Sequence, residues 1–293
     1  MTVKTEIPLS LAKGLPAIRS RALAARILQT KPVRTARTGT TELRVLVHGA
    51  AYLGALWTLK SFYYFSNSDL PLYIHDGGLE PEHVEVLREH FPDAEMVYAQ
   101  DADERCVDML LRQGKPNCAR FRQKLLMSRK LFDRYLFSRA ERVIYADSDI
   151  LFFSNPVELV APGSTMSYYN RDLGTAYSMP LQELNKLAGF EVADRVNAGL
   201  STVRPESLDL DLVEHCLSDC RLDGSEDLQE QTLQAIVASK MGVRYLPETY
   251  LIAIGPARLG ELACRHYPGF TRPLLYSEGM PWLVENGHLQ RMS

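Results

Sequence analysis

From Leu43 onward, strand-like and helix-like segments alternate, and this alternation limits the fold more than any other feature of the chain. "LRVLVH" reads as a strand and "AYLGALWTLKSFYYF" as a helix. "LPLYIHD" reads as a strand, "EPEHVEVLREHF" as a helix and "AEMVYA" as a third strand. A single long basic helix is expected over "ARFRQKLLMSRKLFDRYLFSR", followed by the strand "VIYA". Such spacing predicts βαβ units around a largely parallel sheet flanked by helices, an α/β domain. The later segments "TMSYYN", "RVNAGLSTV" and "GVRYLPETYLI" read as strands and "EDLQEQTLQAIVASK" as a helix, with no linker to set them apart. One domain over residues 39–293 is predicted, preceded by a basic extension over residues 1–38.

In parallel sheets ligands bind beyond the carboxyl ends of the strands. "VLVHGA", "YIHDGG" and "IYADSD" each place polar or glycine residues at such an end. The last is the most demanding, because Asp147 and Asp149 flank Ser148 and "ILFF" follows immediately, able to continue the strand. A buried carboxylate is normally paired or metal-bound. A polar turn explains the pair; so does a divalent-cation site. No G-x-G-x-x-G follows the first strand and no G-x-x-x-x-G-K-[ST] occurs, which argues against nicotinamide-type Rossmann enzymes and P-loop NTPases.

Charge is unevenly spread. Residues 1–38 carry eight Lys or Arg and one acid, Glu6, so this segment is +7 in a chain of net charge −3. Pro16 interrupts its best helical stretch, and a surface extension that docks on its own domain or stays mobile is expected. Peripheral contact with an anionic membrane is the alternative, and no nucleic-acid partner is expected. The five scattered cysteines, Cys106, Cys118, Cys216, Cys220 and Cys264, fit a reducing, cytoplasmic location. Cys216 and Cys220 read as buried thiols, with zinc as the alternative.

Four segments in order resemble a known family. "YADSDILFF" resembles the D-x-D motif of glycosyltransferases with the GT-A fold, and "RVNAGL" is similar to their asparagine–small–glycine segment. "LQEQTL" resembles their acidic-Gln helix. "RHYPGFTRP" resembles the C-terminal H-x-x-G-x-x-[KR]-P element of the family eight, glycogenin-like members. The resemblance covers roughly residues 43 to 280. It departs from the family at Leu274, which replaces a Trp after Pro273, and at Arg272, where Lys is usual.

The resemblance implies a GT-A, Rossmann-like fold and a metal-dependent transferase using a nucleotide sugar, most simply a UDP-sugar. It implies Mn²⁺ or Mg²⁺ held by Asp147, Asp149 and His266, with Asp147 also facing the ribose and Ser148 serving the turn. His48, Gly49 and Ala50, with Asp76, are the expected nucleotide contacts, and Gly269 and Arg272 would meet the diphosphate. Lys124 and Lys130 fall on different faces of one helix, so one should reach the phosphates, Lys124 being the expected one. Asn197, Ala198 and Gly199 would line the donor sugar. Glu230 and Gln231 would orient it and support charge at its anomeric carbon. Tyr168, Tyr169 and Asn170 would wall the acceptor, whether glycan, lipid-linked or protein. Retention of configuration follows only from the glycogenin-like elements. A haloacid-dehalogenase-type phosphatase, also with two aspartates and Mg²⁺, and a non-catalytic nucleotide-sugar or glycan binder are the alternatives.

Overall fold

The computed structural model describes residues 15–164, 166–219, 222 and 226–292. Residues 1–14 of the N-terminal extension and Cys220 therefore lie outside the described residues. The main sheet has the order β3-β2-β1-β4-β7-β6. Its strands are β1 (Thr41–Val47), β2 (Leu72–Asp76), β3 (Glu95–Val97), β4 (Arg142–Ala146), β6 (Tyr168–Arg171) and β7 (Val196–Val203). β1 is parallel to β2 and β4, β2 is parallel to β3, and β7 is antiparallel to both neighbours. β1, β4 and β7 are buried along nearly their whole length, as expected of strands covered on both faces. A smaller sheet, β5-β9-β8, joins β5 (Ile150–Phe152), β9 (Cys264–His266) and β8 (Tyr250–Leu251).

The α-helices are α1 (Leu15–Ala25), α2 (Tyr52–Ser66), α3 (Pro81–His90), α4 (Ala99–Arg112), α5 (Pro116–Lys124), α6 (Ser128–Leu136), α7 (Val157–Val160), α8 (Leu181–Ala188), α9 (Leu210–Leu217), α10 (Glu226–Lys240), α11 (Arg272–Leu274) and α12 (Met280–Glu285). Two apolar cores cover the two faces of the sheet. One gathers α2 with β5 and the C-terminal turns; the other gathers α4, α5, α6 and α10. The first also takes in Ala24 and Ile27, and the Trp57 indole N–H donates to the Ala24 carbonyl at 2.9 Å. Val33 N–H and Ala36 N–H bond the carbonyls of His90 and Asp69. Among the described residues, no helix is long and apolar enough to cross a membrane.

Three local expectations are corrected. The "long basic helix" is two helices, α5 and α6, because Leu125 takes an extended backbone (φ −121°, ψ 117°). The break lets Arg122 Nη1 reach Asp133 Oδ1 at 2.7 Å, both side chains being fully buried. Eleven residues of continuous helix would set those two about 16 Å apart along the axis. "ILFF" does not continue β4. The chain turns through Asp147–Asp149, and β5 joins the second sheet as an edge strand. That edge is closed by α2, whose Thr58 and Ser61 hydroxyls accept the N–H groups of Ile150 and Phe152. In "GVRYLPETYLI", Pro247 lies between one bridge at Tyr245 and the two residues of β8, so no continuous strand forms.

Candidate functional site

Strand direction brings the chemistry to one edge. β1, β2, β4 and β6 all run the same way, so Asp76 closes β2 while His48, Asp147 and Asp172 follow the carboxyl ends of β1, β4 and β6, and the start of β7 lies beside them. The Asp147–Asp149 turn is pinned from several sides. Asp147 N–H donates to the Gly199 carbonyl at 2.7 Å, and Tyr267 N–H donates to the Asp149 carbonyl at 2.9 Å. A methyl at Gly54 of α2 would stand 2.6 Å from the Ser148 carbonyl, so only glycine lets the helix pass beneath the turn.

β9 pairs Ile150 with His266, which carries the imidazole to the two aspartates. His266 Nε2 lies 3.1 Å from Asp149 Oδ1 and 3.8 Å from Asp147 Oδ2. One ligand atom from each of Asp147, Asp149 and His266 falls within 4.8 Å of the others. Asp149 Oδ1 and His266 Nδ1 are buried without a hydrogen-bond partner, despite the short approach of the ring. Carboxylate oxygens and one imidazole nitrogen, with an acceptor left unsatisfied, fit a divalent cation such as Mn²⁺ or Mg²⁺. Burial would raise the Asp149 carboxyl, but the pull of His266 and Arg272 outweighs it and holds it at about 2. It is therefore ionised and ready to ligate. Gly199 is obligatory here too, since a Cβ would stand 2.7 Å from Asp147 Oδ2 and overlap the His266 ring.

Arg272 Nη2 donates to Asp149 Oδ2 at 2.6 Å, and Nε to the same oxygen at 3.2 Å. It also lines a cleft of about 240 Å³ together with His48, Ala50, Ser148, Asp149 and Tyr276. Burial lowers the pKa of His48 from its ordinary value. Gly49 lies against the Gly78 carbonyl, where a Cβ would stand at 2.9 Å. Gly269 opens the C-terminal element with φ +51°, a left-handed backbone that favours glycine.

Several expected residues lie elsewhere or act differently. Lys124 ends α5 at an exposed position and lines a groove with Phe121 and Leu217. Lys130 is the lysine at the Asp pair, with Nζ 2.9 Å from Asp147 Oδ1. The α5–α6 break removes the single helix on which the two lysines were expected to take different faces. Asp76 Oδ1 accepts the N–H groups of Gly78 and Leu79, so its carboxylate serves the turn after β2. Tyr169 and Asn170 are buried within the sheet, the Tyr169 hydroxyl 3.3 Å from that of Tyr135, so they are core rather than an open wall; Tyr168 is half-buried.

Glu230 is buried 3.8 Å from Lys130 Nζ, and burial pushes its carboxyl up to about 7. Burial alone would lower Lys130, but Asp147 and Glu230 outweigh it and raise its pKa. Asn197 and Gln231 bond each other, with Asn197 Nδ2 3.4 Å from Gln231 Oε1. Ala198 N–H donates to the same Oε1 at 3.2 Å.

Four participants escaped the sequence. Tyr145, whose hydroxyl donates to Asp147 Oδ1 at 3.0 Å, was within reach, since residues two apart share a strand face. Arg134, buried and donating to Ser201 Oγ and Gln234, is one turn after Lys130. Gly54 and Asp172 carried no signal of their own.

The chain is similar to the galactosyltransferase LgtC in complex with donor and acceptor sugar analogues, at 14% identity, over 83% of this chain and 94% of that one, with a TM-score of 0.53. The fold is that of the GT-A glycosyltransferases. An active-site mutant of LgtC aligns at 15% identity over 78% of this chain and 87% of that one (TM-score 0.51). The apo bifunctional glycosyltransferase WbbM aligns at 14% identity over 89% of this chain (TM-score 0.50), which spans 53% of that larger chain. No family model matches the sequence, and no curated protein matches it.

Proposed function

We propose that this chain is a metal-dependent glycosyltransferase that moves a sugar from a nucleotide-sugar donor, a UDP-sugar, to an acceptor. The observation that carries the reading is the Asp147–Asp149–His266 group, set at the carboxyl edge of a GT-A sheet and beside a cleft that holds Arg272. The similar structures bear glycosyltransferase names, and LgtC was solved with donor and acceptor sugar analogues. Asp147, Asp149 and His266 would hold Mn²⁺ or Mg²⁺. When bound there, the cation compensates the charge of a departing diphosphate. His48, Ala50 and Tyr276 would receive the nucleoside, and Arg272 would meet phosphate oxygens with its planar fork. Lys130 holds Asp147 in place through its ammonium, and the buried Glu230 supports that ammonium from behind. Retention of anomeric configuration is part of the proposal and rests on the glycogenin-like C-terminal element. A phosphatase of the haloacid-dehalogenase type is disfavoured, because the aspartate pair follows β4 and not the first strand.

The test is a thermal-shift and hydrolysis screen of nucleotide sugars with Mn²⁺. A donor at a hundred times its Kd should stabilise the fold by about 2.7 kcal/mol. Excess EDTA and Asp149→Asn should each abolish turnover while the variant stays folded. Full turnover in EDTA would falsify the metal role, and donor binding without any turnover would identify a non-catalytic binder.

A further inference from the structure

We propose that Asp172, just after β6, is a positioning residue for the metal group, acting through Asn197 and Gln231; this rests on the functional reading above. The Gln231 amide has a single orientation. Its Oε1 accepts Ala198 N–H at 3.2 Å and its Nε2 donates to the Ala176 carbonyl at 2.9 Å, and neither backbone group can exchange roles. The second Nε2 hydrogen points at Asp172 Oδ2, 3.3 Å away. That same oxygen accepts Asn197 Nδ2 at 2.9 Å. A carboxylate only accepts, so both amides must turn their NH₂ groups to Asp172. Asn197 Oδ1 is thereby aimed back along the strand, where it accepts Gly199 N–H at 3.0 Å.

Gly199 is the residue whose carbonyl holds Asp147 N–H and whose α-carbon lies against His266. One carboxylate thus sets two amides, and the amides fix the backbone on which two of the three metal-group residues rest. Both hydrogens of Gln231 are committed to Asp172 and Ala176, leaving none to donate to a sugar. Gln231 therefore clasps α10 to β7, and the clasp is completed by Asp172. Asp172 is itself anchored, through its N–H to the Arg195 carbonyl at 2.8 Å and through Oδ1, which accepts Leu173 N–H at 2.8 Å.

The experiment compares the parent with Asp172→Ala, Asp172→Asn, Gln231→Glu and the double variant Asp172→Asn/Gln231→Glu. Calorimetric titration with MnCl₂, then with UDP, is the readout. Asp172→Ala should weaken Mn²⁺ binding about tenfold, the scale of losing a group that orients a ligand. Gln231→Glu should do at least the same, because it sets a second carboxylate against Asp172. Adding Asp172→Asn to it restores an amide-to-carboxylate contact of reversed polarity and should recover part of the affinity, the Ala176 carbonyl still lacking its donor. Asp172→Asn alone keeps the volume and covers the case in which the alanine variant does not fold. Parental Mn²⁺ affinity in both Asp172 variants, or a double variant no better than Gln231→Glu, overturns the inference and leaves the functional reading standing. A parent that binds neither Mn²⁺ nor UDP overturns both.

Discussion

Lys130 Nζ stands 2.9 Å from Asp147 Oδ1 and 3.8 Å from Glu230 Oε2, so one buried ammonium balances two carboxylates. Removing it leaves both acids facing each other in a poorly solvated site. Breaking a buried ion pair from one side costs about 3 kcal/mol or more, because the remaining charge is uncompensated. Lys130→Met should show that loss in urea unfolding in alkaline buffer, well above the value of about 7 at which Glu230 ionises in the parent. Lys130→Met/Glu230→Gln should regain part of it, since one of the stranded charges is gone. Equal stability of the single and double variants would mean that Glu230 does not share the ammonium.

The pH dependence of stability has a definite sign. Burial, helped by Asp147 and opposed by Lys130 and Arg134, pushes Glu230 up to about 7. An unfolded glutamate titrates near 4.3. Between those values the folded chain holds a proton that the unfolded chain has released, so stability falls as pH rises. The contribution is fully present below about pH 4 and is lost as pH passes through about 7. Glu230→Gln should flatten this slope, which has a size of about 4 kcal/mol over the window. Parallel stability–pH curves for parent and variant would refute the assignment.

Ile27 is fully buried in the core shared with α2, although it belongs to the basic N-terminal segment. Further along the segment, Lys60 Nζ donates to the Lys31 carbonyl at 2.5 Å, and burial lowers Lys60 to about 8. Ile27→Ala is therefore expected to cost about 3 kcal/mol, as for other core isoleucines. A guanidinium melt showing a loss under about 0.5 kcal/mol, the range of a surface change, would show the segment to be loosely held.

The sheet was legible because parallel strands bury both faces and leave apolar runs, as in "LRVLV", and α10 was legible as a run unbroken by Gly or Pro. The aspartate pair and His266 were legible as types in order, and pairing of β5 with β9 is what makes them a cluster. The α5–α6 break was not legible. Its residues favour helix throughout, and the turn is decided by the distant meeting of Arg122 with Asp133. The choice between Lys124 and Lys130 was not legible either, and the structure sets Lys130 beside Asp147. Asp172 lay outside any motif, since its role comes from a strand end meeting a helix 59 residues later.

Arg272 gives the sharpest separation between metal and nucleotide. In the structure its guanidinium bonds Asp149 Oδ2, yet it is 40% exposed and borders the cleft, so the fork can also meet a phosphate. These two contacts predict opposite effects for Arg272→Ala. Mn²⁺ alone should bind as well as to the parent or better, because a cation beside Asp149 is removed. UDP with Mn²⁺ should bind about ten- to a hundredfold more weakly, since a charge-assisted hydrogen bond is worth about 1.5–3 kcal/mol. Uridine, without phosphates, should bind both proteins equally. Arg272→Lys should recover part of the UDP affinity, because the charge returns without the planar fork. Calorimetric titration of the three ligands into the three proteins reads all of this. Parental UDP affinity in the alanine variant would confine Arg272 to its contact with Asp149, and a matching loss for uridine would show the cleft itself to be disturbed.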